Sequence, residues 1–338
     1  MRMLHFARIS LGALLVLGAP VAIAQGQWSV TNTYHIGGEG GWDYLTVDAQ
    51  SHRLFVPRTT HTQVIDADSG KVLGDIPGQK TAHGVAIVPK LGRGFITDGG
   101  GQGGIVVFDL KSYAVLGTIP TMPDSDGIIY DAKLNRVLAV SGDEGKLMMF
   151  SPDIDPKSGK VDTLELGGKP EFLASDGTGK VYVNLEDKDV VAVVDLNARK
   201  VVSRWPVAPA GSPVGMSMDK TGHHLFIGCR KPQNLVVMNA DSGKVEAALP
   251  IGPGVDATVF SGEQAFASSA DGTLAVVAQK DGKFDIVQKV KTPQGARTMG
   301  MDMTTHKIYM PAAEMEPGPN GRMRGKPGTF MIVVVERK

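Results

Sequence analysis

Asp43, His83, Asp126, Glu171, Val214, Asp256 and Arg297 stand roughly 40–45 residues apart, each at the start of an alternating apolar segment. All but Val214 are ionisable. Four carboxylates against one arginine give the set a formal −3 with His83 neutral. Gathered at one site, two carboxylates about 6 Å apart would repel by roughly 3 kcal/mol at an effective dielectric near 20. A cation must offset that, or a carboxyl must keep its proton. In a cyclic order Arg297 falls between Asp256 and Asp43 and is expected to neutralise both. The arc His83, Asp126 and Glu171 has no built-in cation. One imidazole with two carboxylates suits a divalent metal: Ca²⁺ or Mg²⁺ where oxygens and water dominate, Mn²⁺ or Zn²⁺ where His83 is itself a ligand. The same residues could instead bind a cationic or polyhydroxylated ligand, or meet only water and backbone amides at a wet surface.

A repeat must hold these residues together. "YLTVDAQSHRLFVP" from Tyr44, "GVAIVPKLGRGFIT" from Gly84, "GIIYDAKLNRVLAV" from Gly127, "FLASDGTGKVYVN" from Phe172, "GMSMDKTGHHLFIG" from Gly215, "ATVFSGEQAFAS" from Ala257 and "TMGMDMTTHKIYM" from Thr298 share one pattern. Each is an alternating apolar strand, a polar turn often opened by Asp, and a second apolar strand. A third strand follows, as in "VVAVVDLNARKV" and "NLVVMNADSGKV", then in most copies a hairpin and a fourth strand such as "LGDIP" or "LGTIP". Asp or Asn opens such turns because its side chain can hydrogen-bond the backbone two residues on. Four antiparallel strands in roughly 40–45 residues are a β-propeller blade. The repeats therefore predict an all-β, seven-bladed β-propeller. The last copy reaches Lys338 after its third strand, so "VTNTYHIGG", residues 30–38, is expected to supply the fourth and close the ring. In that fold the ionisable set converges at the mouth of the central channel.

"VYVNLEDKDVVAVVD", with "GWDYLTVD", "HGVAIVP", "KPEFLASDG", "RWPVAP" and "GARTMGMD", resembles the YVTN-repeat propellers, specifically the exported YncE-like proteins, across residues 25–338. The resemblance implies a seven-bladed propeller in the periplasm or outside the cell, and no particular activity. The N-terminus agrees on compartment. Arg2 and Arg8 precede the apolar "LGALLVLGAPVAIA", and Ala22-Ile23-Ala24 offers small residues before Gln25. This reads as a secretory signal peptide over residues 1–24, cut after Ala24. The apolar run is short for a membrane span and contains Pro20. One exported domain, residues 25–338, is expected, monomeric and without a transmembrane segment. The single cysteine, Cys229, allows no intramolecular disulfide. Beside Arg230 and Lys231 it is either a small buried residue or an activated thiol.

Lys and Arg number 35 and Asp and Glu 35, so the globally basic surface of a nucleic-acid binder is absent. "GGGQGG", residues 99–104, satisfies G-x-G-x-x-G but leads into the strand "IVVFDL", so no helix N-terminus is there to hold a pyrophosphate. The sequence holds no C-x-x-C-H and no G-x-S-x-G. Arg58 and His61 are further ligand-binding candidates on the ring face, with Asp98, Asn184, Glu186 and Arg230 as supporting candidates. His52, His223, His224 and His306 fall in turns of the opposite face, and His35 in the closing strand. Residues 312–328, rich in Pro and Gly, are expected to form an irregular loop over the ring face, as a lid, a docking segment or a plain insertion. The function expected is an exported binding or scaffold protein, presenting an acid-rich funnel to a small polar ligand or to a periplasmic or cell-envelope protein. The alternative is a metal-assisted hydrolase or lyase. There a cation on His83, Asp126 and Glu171 would polarise a carbonyl or activate water, and a free acid or His61 would move protons.

Overall fold

The computed structural model describes residues 26–318, 321 and 323–338. The leader at residues 1–24 and Arg322 lie outside the described residues. Regular structure is strand throughout, apart from two single 3₁₀ turns at Pro89–Leu91 and Glu186–Lys188. Among the described residues no helix is long and apolar enough to cross a membrane.

Four sheets each take four antiparallel strands in chain order. Their innermost strands are Ser125–Asp131, Pro170–Ser175, Pro213–Asp219 and Val255–Phe260. Their outermost are Asp162–Glu165, Lys200–Pro206, Val245–Pro250 and Lys283–Lys291. Residues from Thr46 to Pro120 form one seven-stranded sheet, because Val72–Val88 runs unbroken through two successive units. It pairs with Thr59–Asp66 at its start and with Arg93–Asp98 at its end. Middle strands such as Val181–Leu185 and Val191–Val193 are buried on both faces, since neighbouring sheets pack against each side. Outer strands alternate, as in Lys200–Pro206, because only one face meets a neighbour.

The turns explain why one pattern repeats. Asp109 Oδ1 accepts from the backbone N–H of Lys111 and Ser112, Asp155 from Lys157 and Ser158, and Asp195 from Asn197 and Ala198. Each side chain satisfies donors that a tight reversal leaves without strand partners.

The N-terminal strand completes the final sheet, whose order is Trp28–His35, Met331–Arg337, Ile308–Ala312, Gly300–Met301. Trp28 lies opposite Arg337 and His35 opposite Met331. The strand starts two residues before the segment predicted from sequence, because Trp28 is an anchor. Its ring meets Phe266 edge-on at 4.8 Å, and its indole N–H donates to Gln264 Oε1 at 2.8 Å. Residues 36–38 leave the strand, with Gly37 and Gly38 at φ 77° and 79°.

Inner strands touch in succession from Val72–Val88 to Val255–Phe260, Thr46–Asp48 touches both Val72–Val88 and Gly300–Met301, and the Ala257 backbone N–H donates to the Arg297 carbonyl at 3.2 Å. Glycine permits this approach at two positions. A Cβ on Gly127 would stand 2.7 Å from the Glu171 carbonyl oxygen, and one on Gly215 would stand 2.5 Å from that of Asp256. Buried polar side chains then tie each unit to the inner segment of a neighbouring one. Thr97 Oγ1 donates to the Asp126 carbonyl at 2.6 Å, Asn184 Nδ2 to that of Val214 at 2.7 Å, and Thr298 Oγ1 to that of Asp43 at 3.0 Å.

The segment 312–328 corrects the expectation of an irregular loop. Met315–Pro317 pairs antiparallel with Met323–Gly325. Cross-strand charge pairs support the hairpin: Arg324 with Glu316 at 2.9 Å and Lys326 with Glu314 at 3.0 Å. Pro317 sits at the strand end, where a missing N–H is tolerated.

Candidate functional site

The ionisable residues occupy equivalent places: Asp126, Glu171 and Asp256 are the second residues of their inner strands, as is Val214. Phe172 follows Glu171 directly, as Tyr44 follows Asp43. Tyr44 and Phe172 meet with ring centroids 4.6 Å apart, and the Tyr44 hydroxyl donates to the Asp256 carbonyl at 3.2 Å. Both aromatics also line a mostly apolar cavity of about 370 Å³, which none of the charged ring residues lines. The two rings thus adjoin both the ionisable residues and the apolar cavity.

The ring divides into two clusters. In one, His83 Nδ1 lies 2.7 Å from Asp43 Oδ2 and 3.7 Å from Asp126 Oδ1. Burial disfavours the imidazolium, but the Asp43 hydrogen bond and the Asp126 and Asp124 charges outweigh it and lift His83 to about 9. Burial raises the Asp126 carboxyl, with His83 opposing the shift and Asp43 adding to it. Asp126 Oδ1 is buried and accepts no hydrogen bond.

The second cluster is an ion-pair chain. Asp256, with a side chain 10% exposed, takes Arg230 Nη2 on one oxygen and Arg297 Nε on the other, each at 2.6 Å. Arg230 also reaches Glu186 Oε1 at 3.4 Å and the Val255 carbonyl at 3.2 Å. Glu171 and Glu186 titrate as a pair: burial and the neighbouring Glu186 and Asp126 carboxyls raise Glu171, whereas Glu186 is lowered because Glu171, the Ser212 hydroxyl and Arg230 outweigh its own burial.

The sequence-derived set is therefore brought together, but in different pairings. Among the described residues the one three-ligand cluster is Asp43, His83 and Asp126. Glu171, read from sequence as a metal ligand beside His83 and Asp126, is not one of those three residues, and its carboxyl titrates with Glu186. Arg297 does not bridge Asp256 and Asp43 by ion pairs; it bonds Asp256, and Asp43 bonds His83. Arg230 fills the gap that Val214 leaves in the ring. Its signal was legible: Glu186 and Arg230 lie at or just past the ends of second strands of their units, so a second set of ring-facing positions exists there.

Other candidates lie apart from the ring. Arg58 is 1% exposed and donates to the carbonyls of Gly41 at 3.0 Å and Glu39 at 2.8 Å. It also stacks on Phe330 at 3.6 Å. Its guanidinium clamps the loop before Asp43. His61 pairs with Asp75 at 3.5 Å. Asp98 accepts from the backbone N–H of Lys80, Thr81 and Gly100 and anchors the Gly99–Gly104 hairpin loop. Cys229 is fully buried and its thiol is pushed up to about 12 by burial, so it is a packed residue. His52 and His223 pair with Asp68 and Asp241, each at 2.9 Å.

No family model matches the sequence, and no curated protein matches it. Solved structures do. The WD40 repeats of RRP9 superpose with a TM-score of 0.77 at 12% identity, over 92% of this chain and 100% of that one. The Cps50 (Swd1) β-propeller domain of Myceliophteria thermophila gives 0.70 at 12% identity, again over 92% and 100%. A chain of Kuenenia stuttgartiensis hydrazine synthase gives 0.70 at 12%, over 96% and 99%. The chain folds as a β-propeller. At this identity the likeness speaks for the propeller fold alone, and function must be argued from the site.

Proposed function

We propose that this propeller is an exported binding or scaffold protein that takes a small polar ligand, or a polar segment of a cell-envelope partner, at the ring-face mouth of its channel. The reading counts Val72–Val88 as the outer strand of one blade and the inner strand of the next, which makes seven blades closed by Trp28–His35. It places the chain with the YVTN-repeat, YncE-like propellers, outside the cytoplasm.

One observation carries it. Six ionisable side chains from six separate units, on their inner strands or just before them, gather with Glu186 and Arg230 beside the Tyr44–Phe172 pair. A polar mouth over an aromatic floor offers a ligand hydrogen-bonding groups of both charges and one apolar surface. Glu171, whose carboxyl burial and the neighbouring Glu186 and Asp126 push upward, favours a second reading: a hydrolase or lyase with Glu171 as general acid.

A thermal-shift screen of small polyols, amines and carboxylates separates these readings. The expected hit stabilises the protein and loses its effect in Asp256→Asn and Glu171→Gln. Hits that persist in both variants would place binding elsewhere. Turnover of a bound ester, lactone or glycoside, lost in Glu171→Gln, would establish the enzymatic reading.

A further inference from the structure

We propose that Asp43, His83 and Asp126 form a binding site for a divalent transition-metal ion at the channel mouth. This rests on the reading of the ring as a ligand site and gives one arc of it a specific chemistry.

One donor atom from each of the three residues lies within 4.8 Å of the other two. The closest separations, 2.7 Å and 3.7 Å from His83 Nδ1, bracket the spacing of adjacent donors around an ion held at about 2.0–2.2 Å, which is roughly 3 Å. The third edge, within 4.8 Å, has to shorten when an ion binds. The backbone behind the donors is held in place. Asp126 sits on a strand tied by Thr97, Asp43 on a segment tied by Thr298, and Gly84 and Gly127 let the inner strands approach.

An independent observation points to a partner that His83 alone does not supply. Asp126 Oδ1 is buried with no donor. A buried carboxylate oxygen without a partner is costly, and native folds rarely leave one so. Among the described residues no lysine or arginine forms an ion pair with Asp43 or Asp126. The nearby cations are engaged elsewhere: Lys169 lies 3.8 Å from Asp124, and Arg230 and Arg297 hold Asp256.

The donor set chooses the class of ion. An imidazole nitrogen with two carboxylates favours Mn²⁺ through Zn²⁺ over Ca²⁺ and Mg²⁺, which prefer all-oxygen shells. Three protein ligands leave at least one position open to water or to an oxygen of a bound ligand.

The competing arrangement is an imidazolium that bridges the two carboxylates and excludes metal. Isothermal titration of the chelator-stripped protein with Zn²⁺ and Mn²⁺ decides between them. The expected result is one ion per chain, weakened at least tenfold in Asp126→Asn and in His83→Gln, and unchanged in His223→Gln. His223→Gln removes an exposed His–Asp pair elsewhere. Mn²⁺ should also broaden the His83 imidazole signals in the unsubstituted protein, a readout independent of whether the variants fold. Absence of binding up to about 1 mM, binding indifferent to Asp126→Asn and His83→Gln, or Ca²⁺ binding more tightly than Zn²⁺ would each overturn the proposal. If the ligand hits of the thermal-shift screen survive while no metal binds, this inference fails alone. If metal binds and no hit depends on the ring, the binding-protein reading fails instead.

Discussion

Glu171 and Glu186 are two carboxyls of one residue type that their surroundings drive in opposite directions. Glu171 is raised to about 9 against an ordinary value of 4.5, so between those limits the folded chain holds a proton that the unfolded chain has lost. Its contribution to stability is therefore present at low pH and lost as pH rises through about 9. Glu186 is lowered, and its contribution is lost as pH falls. Glu171→Gln keeps the shape and a hydrogen-bond donor without titrating. Denaturation free energies measured from pH 6 to 9 should show the variant gaining on the unsubstituted protein as pH rises, by about 1 kcal/mol per pH unit. A pH-independent difference would mean that Glu171 holds no extra proton in the folded chain. Arg230→Met should cost about 1–3 kcal/mol in urea denaturation, tempered because Arg297 still serves Asp256 and the guanidinium is 35% exposed. Arg230→Lys should not restore it, since one ammonium cannot reach Glu186, Asp256 and the Val255 carbonyl together.

At the scale of elements, the strand ends aim the site. Asp43 belongs to no strand; it follows a glycine-rich loop that Arg58 holds through the Gly41, Glu39 and Gly40 carbonyls and Gln63 Oε1. Burial lowers Arg58 to about 10, with only Asp75 opposing the shift, so the loop is held by a cation that itself lacks a close counter-ion. Arg58→Lys loses the planar fork and the stack on Phe330, and should destabilise by about 2–4 kcal/mol. Hydrogen exchange should rise first over residues 37–42, with little change in the Trp28–His35 strand. Equal change everywhere would show that Arg58 supports the whole sheet and not the loop.

The whole molecule depends on a contact between its two described ends. Removing residues 26–35 would expose the Met331–Arg337 edge and strip Trp28 from Phe266, Gln264 and Gln288. Scanning calorimetry should show loss of the single cooperative transition, and size-exclusion chromatography should show aggregation. Trp28→Ala alone should cost about 3–5 kcal/mol. A truncated chain that melts cooperatively at an unchanged temperature would refute the dependence. The pairing also explains how a chain with one cysteine, itself buried, is secured without a disulfide.

Strand order, the Asp-opened turns and the N-terminal strand beside the last sheet were all legible in the sequence. Each follows from short-range patterns, alternation with period two and turn residues at fixed offsets, that act before tertiary contacts form. The ring positions were legible for the same reason, since equivalent places in a repeat must be equivalent in space. The pairings within the ring were not. Whether His83 turns to Asp43 or Glu171, and whether Arg297 bonds one acid or two, depends on side-chain reach across strands from different repeats. Arg230 at the gap left by Val214, and the Tyr44–Phe172 floor, arise only when inner strands close to contact distance. Local periodicity determined which residues reach the axis; the packing of separate strands around it decided which of them touch, because hydrogen bonds and charge pairs respond to ångström distances that no spacing along the chain encodes.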